Sequence, residues 1–143
     1  LRASDDTDVP PPQQGLDQLD HHVAGFRASH LDVQTRIEGD PAQVSGAVSL
    51  VAYRVVQESL TNAHKHGAEH RVHLLLEINA ERVRIVATNP VDASVSRDLS
   101  GTGVGLVGVR ERVASVGGTV RAGLAPGGWK VDAVLPLTKG AST

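Results

Sequence analysis

The sequence predicts an α/β fold, a two-layer sandwich with about three helices on one face of a mixed, mostly antiparallel sheet. Three patterns predict it. Apolar residues recur at helical spacing in three segments, period-two alternation marks the strands between and after them, and glycine or proline breaks separate the elements. The alternation implies one buried sheet face, and the helices supply the layer that covers it.

The elements follow in order. Residues 1–15 are acidic and Pro-rich, with Asp5, Asp6 and Asp8 ahead of Pro10-Pro11-Pro12, and read as a linker. The folded domain spans 16–137 and a short tail spans 138–143. Leu16, Leu19, Val23 and Phe26 recur at helical spacing up to Ser29; Leu31, Val33, Thr35 and Ile37 then alternate as a first strand. Asp40-Pro41 is a start signal for a long helix that runs to Gly67. Val72, Leu74, Leu76 and Ile78 alternate with polar neighbours, Asn79-Ala80-Glu81 turns the chain, and Val83, Ile85 and Ala87 continue the pattern. A third helix over 104–116 stops at Gly117-Gly118, and a closing hairpin pairs 120–124 with 131–135 around Pro126-Gly127-Gly128.

Composition excludes several classes of function. A chain of 143 residues buries one core. It has no cysteine, so disulfides, thiolate catalysis and Cys-based metal sites are ruled out. The formal charge of −2 argues against a general nucleic-acid binder. Nothing in it reads as a membrane span or a signal peptide. The seven histidines are scattered, and His64 with His66 lacks the i, i+4 spacing of a helical metal pair.

Residues 53–67 carry the most chemistry: Tyr-Arg-Val-Val-Gln-Glu-Ser-Leu-Thr-Asn-Ala-His-Lys-His-Gly. At about 100° per residue, Glu58, Asn62 and Lys65 share one helix stripe with His66 on its edge, and Ala52, Val56, Leu60 and Ala63 form the opposite one. A carboxylate, an amide and an ammonium on one face can act as a base, complete the shell of a hard cation and neutralise phosphate oxygens. On its own the same pattern also describes a solvated charged face ending in a Lys/His cap.

From residue 101 the chain reads Gly-Thr-Gly-Val-Gly-Leu-Val-Gly-Val-Arg-Glu-Arg-Val, glycines feeding a helix whose apolar face is Leu106, Val109, Val113 and Val116. A helix N-terminus presents unpaired N–H groups to which phosphate binds readily, though glycines also serve ordinary turns. No Gly-Lys-Ser/Thr follows, as a P-loop needs, and the glycines come after the main strands instead of after a first one.

In this order the two segments resemble the ATP-binding catalytic domain of sensor histidine kinases, within the ATPase superfamily shared with gyrase. The helix looks like that family's N box, the glycine run like the later of its glycine boxes, and the wording of both like its nitrate/degradation-type subfamily. The resemblance spans about residues 16–137. It implies a Bergerat-type ATP-binding fold, ATP and Mg²⁺ as cofactors, and roles for individual residues. Glu58 would polarise the attacking group, Asn62 would coordinate Mg²⁺, and Lys65 and His66 would contact phosphates. Gly101, Gly103 and Gly105 would hinge an ATP lid, with N–H groups of Gly103, Val104, Gly105 and Leu106 on the phosphates.

The resemblance further implies a protein histidine kinase whose phosphoacceptor histidine lies outside this chain, on a dimerising hairpin of the chain's own parent, with Leu1-Arg2-Ala3 as its tail. Asp20-His21-His22 fits the acceptor motif only superficially, because its helix is too short. The expected partners are that hairpin, which makes the full-length protein a homodimer, and a cognate response regulator; no nucleic acid or membrane contact is expected of this segment. It reads as a cytoplasmic domain, whether or not the full-length protein is membrane-anchored.

Two departures stand out. Where the family usually has Asp-x-Gly-x-Gly, with Asp accepting from the adenine amine, this chain has Ala87-Thr88-Asn89-Pro90, and Asn89 takes the Asp position. An amide can accept from the amine but can also reverse, so weaker discrimination between ATP and GTP is expected. Trp129 stands where relatives often have Thr, either as packing or as a wall of the base pocket. Arg97, between Asn89 and Gly101, is either solvated or a phosphate contact. A catalytically degenerate nucleotide-binding or partner-docking module is the alternative, against which the retained Glu58, Asn62 and Lys65 argue.

Overall fold

Strand alternation becomes a sheet with one apolar face. In the computed structural model the described residues are 15–44, 46–91 and 103–137, with side chains from 107 onward in the last segment. Within them lie helices α1 (Leu19–Ala28), α2 (Gly46–His66) and α3 (Gly103–Ser115), and strands β1 (Asp32–Glu38), β2 (Arg71–Ile78), β3 (Arg82–Asn89), β4 (Thr119–Ala125) and β5 (Gly128–Pro136). The sheet order is β1-β2-β3-β5-β4. Strand β1 runs parallel to β2, with Val33 opposite Val72, and every other neighbouring pair is antiparallel. A parallel pair needs a crossover, and α2 supplies it.

The inner face collects Val72, Leu74, Leu76, Val83, Ile85, Ala87, Val131, Ala133 and Leu135, all buried. Helix α2 lies over β2, β3 and β5; α1 packs on β1 and α2, and α3 on α2 and β4. The other face is open. There Arg84 donates to both carboxylate oxygens of Asp132, at 3.1 Å and 2.9 Å. These hydrogen bonds and the guanidinium charge hold the Asp132 carboxyl below its ordinary range against the opposing effect of burial. A shallow depression of about 520 Å³, lined by Gln34, Arg36, His73 and Glu77 among others, lies on this face, across the sheet from α2.

Two expectations are corrected. The long helix does not start at Asp40-Pro41. Asp40 instead caps a single 3₁₀ turn, Pro41–Gln43, its carboxylate accepting from the Ala42 N–H at 3.0 Å. Gly46 then takes φ +65°, a left-handed value that no right-handed helix can run through, so α2 begins there. In the first strand the alternation buries only Leu31 and Val33; Thr35 and Ile37 are exposed, because β1 is an edge strand that outruns its covering helix.

Helix α1 is fixed to α2 by aromatic contacts. The His22 ring lies 4.9 Å from Tyr53 and the Phe26 ring 6.1 Å from His64, centroid to centroid, and His22 Nδ1 is 3.0 Å from the Tyr53 hydroxyl. His22 Nε2 is buried with no partner among the described residues. Burial, with a smaller contribution from His21, lowers the His22 pKa. Between the folded and unfolded values the unfolded chain binds more protons, so this contribution to stability is whole above about pH 6.5 and declines as the pH falls below it. The melting temperature should therefore drop from pH 7.5 to pH 5.5. The expected check is thermal unfolding of His22→Phe, in which that drop shrinks; an equal drop in the variant places its cause elsewhere.

Candidate functional site

Because α2 is sandwiched, its chemistry is confined to one flank. Ala52, Val56, Leu60 and Ala63 have no exposed surface, as their spacing predicts. Tyr53, Val55 and Ser59 are buried as well, since α1 and the sheet cover more than one stripe. The polar stripe rises from this core into solvent: Asn62 is buried, Glu58 and His66 are half-buried, and Lys65 is exposed. Asn62 thus has the most fixed surroundings of the four, and Lys65 the greatest reach.

Topology gathers four segment ends at one end of the sandwich. The C-terminal end of α2 is tied to that of β3 because the Pro90 carbonyl accepts from the Ala68 N–H at 2.8 Å and from the Asn89 amide nitrogen at 3.1 Å. Strand β5 starts opposite that point, with Trp129 paired to Asn89 across the ladder. The far end of α3 meets the far end of β5, where a Cβ on Gly118 would touch the Val134 carbonyl and Leu135. The N-terminus of α3 therefore lies at the Asn89 end. Its first four N–H groups, from Gly103, Val104, Gly105 and Leu106, have no acceptor within the helix. Gly101, Arg97 and the remainder of 92–102 lie outside the described residues.

Asn89 is 4% exposed, and its setting explains an amide at this position. Its Nδ2 donates to the carbonyl of the next residue; a carboxylate there would aim oxygen at oxygen. The bond leaves the amide oxygen to accept from elsewhere. Two glycines make room for this arrangement, and their part was not read from the sequence, where one ended a helix and the other belonged to a turn. A Cβ on Gly67 would meet the Ala63 carbonyl and, at 3.1 Å, the Asn89 amide nitrogen. Gly128 has φ +127° and its Cβ would sit 2.1 Å from the Asn89 carbonyl oxygen. The sequence did show a glycine at both places, but not what approaches them.

His21 and His22 are not presented as an acceptor site. His21 is exposed on a ten-residue helix, and His22 is engaged by Tyr53.

The chain is 39% identical over 92 residues to the oxygen sensor histidine kinase NreB of Staphylococcus carnosus, which covers 64% of this chain and 26% of NreB. It is 32% identical over 123 residues to the sensor histidine kinase YxjM of Bacillus subtilis, covering 83% of this chain and 29% of YxjM. No protein-family model matches it. The fold superimposes on the ATP-binding domain of PrrB from Mycobacterium tuberculosis with a TM-score of 0.57, at 24% identity, over 85% of this chain and 92% of that one. The architecture is thus that of histidine-kinase catalytic, ATP-binding domains. In sequence the chain is similar to sensor histidine kinases, and it spans less than a third of the length of NreB or YxjM.

Gly128→Ala is expected to lower stability by at least about 2 kcal/mol, since it combines a φ that only glycine adopts freely with a backbone clash. Denaturant unfolding measures it. A loss within about 0.5 kcal/mol, the scatter of ordinary surface changes, would show that the close approach of β5 to Asn89 is not a constraint.

Proposed function

We propose that this chain is the ATP-binding catalytic domain of a two-component sensor histidine kinase, folded over residues 16–137 behind a linker, and that it passes the ATP γ-phosphoryl group to a histidine of its parent's dimerisation hairpin for relay to a response regulator. The observation that carries the proposal is the convergence at one end of α2's polar stripe, Asn89 and the first N–H groups of α3. Together these groups have the chemistry to hold a polyanion with a base at one end. Lys65 and His66 supply positive or donor groups to phosphate oxygens, and the N–H groups of Gly103, Val104, Gly105 and Leu106 add uncharged donors, with Gly101, Gly103 and Gly105 assigned to the hinge of the lid. Asn89 accepts from the base amine through its amide oxygen.

The chemistry assigned to Glu58 is proton acceptance. An imidazole nitrogen attacks the γ-phosphorus, the bond from that phosphorus to the β–γ bridging oxygen breaks, ADP leaves, and the imidazole N–H proton passes to the Glu58 carboxylate. Bound Mg²⁺ would neutralise phosphate charge; the Asn62 amide oxygen suits one position of its all-oxygen shell, and phosphates and water supply the others. The match of fold to PrrB's ATP-binding domain supports the nucleotide. A degenerate, partner-docking domain is the second reading, and the neutral Asn89 is what favours it.

Two variants on one stripe separate binding from chemistry. Asn62→Asp should weaken Mg-dependent ATP binding roughly tenfold, because it alters the metal's ligand set. Glu58→Gln should bind ATP normally and slow phosphotransfer to the parent's hairpin, supplied in trans, by roughly 10²-fold or more. Calorimetry and a radiolabel transfer assay read the two effects. Equal loss of ATP in both variants with normal transfer by Glu58→Gln sinks these roles, and ATP binding without any transfer by the unaltered chain favours the degenerate domain.

Asn89→Asp should move stability and affinity in opposite directions. Losing the bond to the Pro90 carbonyl and setting two acceptors together should cost about 1–3 kcal/mol in the unliganded protein. A charged acceptor for the base amine should tighten ATP binding by up to about tenfold. Unchanged ATP affinity in calorimetry removes Asn89 from the base site.

A further inference from the structure

The chain's single tryptophan has a buried indole nitrogen that bonds to none of the described residues. Trp129 is 5% exposed, stands opposite Asn89 on one side and Leu124 on the other, and its Nε1 has no hydrogen-bond partner among the described residues. Buried indole N–H groups ordinarily find an acceptor, so an orphan is a place where one is to be supplied. The position is specific. Helix α2 covers β2, β3 and β5, while α3 packs on α2 and β4, so the seam between the two helices runs over β5. Trp129 is the second residue of β5, at the end where α2 stops and α3 begins. It is buried on the inner face of the sheet, paired across the ladder with the residue whose amide the proposal above gives to the base.

We propose that Trp129 is a specificity-determining residue for the purine, its Nε1–H donating to the ring nitrogen N1 of adenine while Asn89 Oδ1 accepts from the adjacent 6-amino group. This rests on the nucleotide reading. The two residues are partners across the ladder and together carry an acceptor, the Asn89 amide oxygen, and a donor, the Trp129 N–H, the complement of adenine's amine and N1. Guanine reverses both groups, with a carbonyl at position 6 and an N–H at position 1. Reversal of the Asn89 amide can meet the carbonyl, but the indole nitrogen carries a hydrogen and no lone pair to offer, so the guanine N1–H faces a donor. Trp129 thereby supplies the discrimination that a neutral amide alone gives up. The sequence-based expectation of weak ATP/GTP selectivity considered Asn89 without this partner.

The test uses the 143-residue chain, in which all tryptophan emission comes from Trp129. Mg-ATP should change that emission, and Mg-tripolyphosphate should not. In calorimetry the unaltered chain should prefer ATP to GTP by about tenfold or more, and 1-deaza-ATP, which replaces N1 by C–H, should bind about fivefold more weakly than ATP, the worth of one ordinary hydrogen bond. Trp129→Phe should bind ATP and 1-deaza-ATP alike, with tripolyphosphate binding unaltered; a packing role alone would not equalise the two nucleotides. If ATP and 1-deaza-ATP bind the unaltered chain equally, or ATP binds with emission unmoved, the inference is overturned and the nucleotide reading stands. If neither ATP nor tripolyphosphate binds, the nucleotide reading falls and takes this inference with it. The comparison of ATP with 1-deaza-ATP needs no variant and decides the matter should Trp129→Phe fold poorly.

Discussion

Everything else in the molecule depends on the burial of α2 against the sheet. One helix closes the parallel crossover, fills the core and carries the candidate chemistry. Ala52, Val56, Leu60 and Ala63 are wholly buried over β2, β3 and β5, and burying a side chain the size of Leu or Val contributes about 1.5–3 kcal/mol. A helix turns by about 100° per residue, so fixing this stripe fixes the bearing of every other side chain on α2. Asn62 follows Leu60 by two residues and Glu58 precedes it by two. Rotating α2 enough to bring either into better contact with solvent would expose Leu60. The polar stripe therefore needs no contacts of its own to hold its orientation.

Strand order then determines what the stripe faces. With β5 between β3 and β4, the end of β3 meets the start of β5, and α3 must descend beside α2 to enter β4 at the opposite end. Of the four segments that converge, only β3 and α3 follow one another in the chain; α2 and β5 are brought in by the fold. The Pro90 carbonyl locks the arrangement by accepting from both Ala68 and Asn89, which removes the freedom of β3's end to move relative to α2. Nothing comparable ties the open face, where Arg84 and Asp132 stabilise strands already paired and the depression beside them has no helix to close it.

Elements with a strong period were legible. The alternation at Val72–Ile78 and Val83–Ala87, the stripe on α2 and the final hairpin all appear where the sequence places them, because burial on one face leaves a trace at every second or every third and fourth residue. The site stripe was legible for the same reason. Failures came where a single local conformation outweighed a period. Asp40-Pro41 is a sound helix start, but the left-handed Gly46 five residues on ends that attempt, and a glycine's φ cannot be read from its neighbours. Thr35 and Ile37 continue an alternation that no layer covers. Long-range contacts left least trace: the Tyr53–His22 pair lies 31 residues apart, and the close approach of Gly128 to Asn89 joins strands whose pairing is known only from the fold.

The amide at position 89 shows how such contacts bear on function. In isolation, an Asn in place of an Asp reads as a loss of charge and hence of base affinity. In the folded chain its nitrogen is already committed to Pro90, its backbone carbonyl lies against a glycine that admits no side chain, and its flank lies against Gly67. A carboxylate would break the first of these contacts. The position is therefore a compromise between holding the β3 end on α2 and offering an acceptor outward, and only a residue with both a donor and an acceptor meets the two demands at once. On the proposed reading, the neutral acceptor leaves a deficit in base recognition that falls to a neighbour on the same inner face. The ladder places one residue directly opposite, and that residue is the buried tryptophan whose donor is unmatched among the described residues.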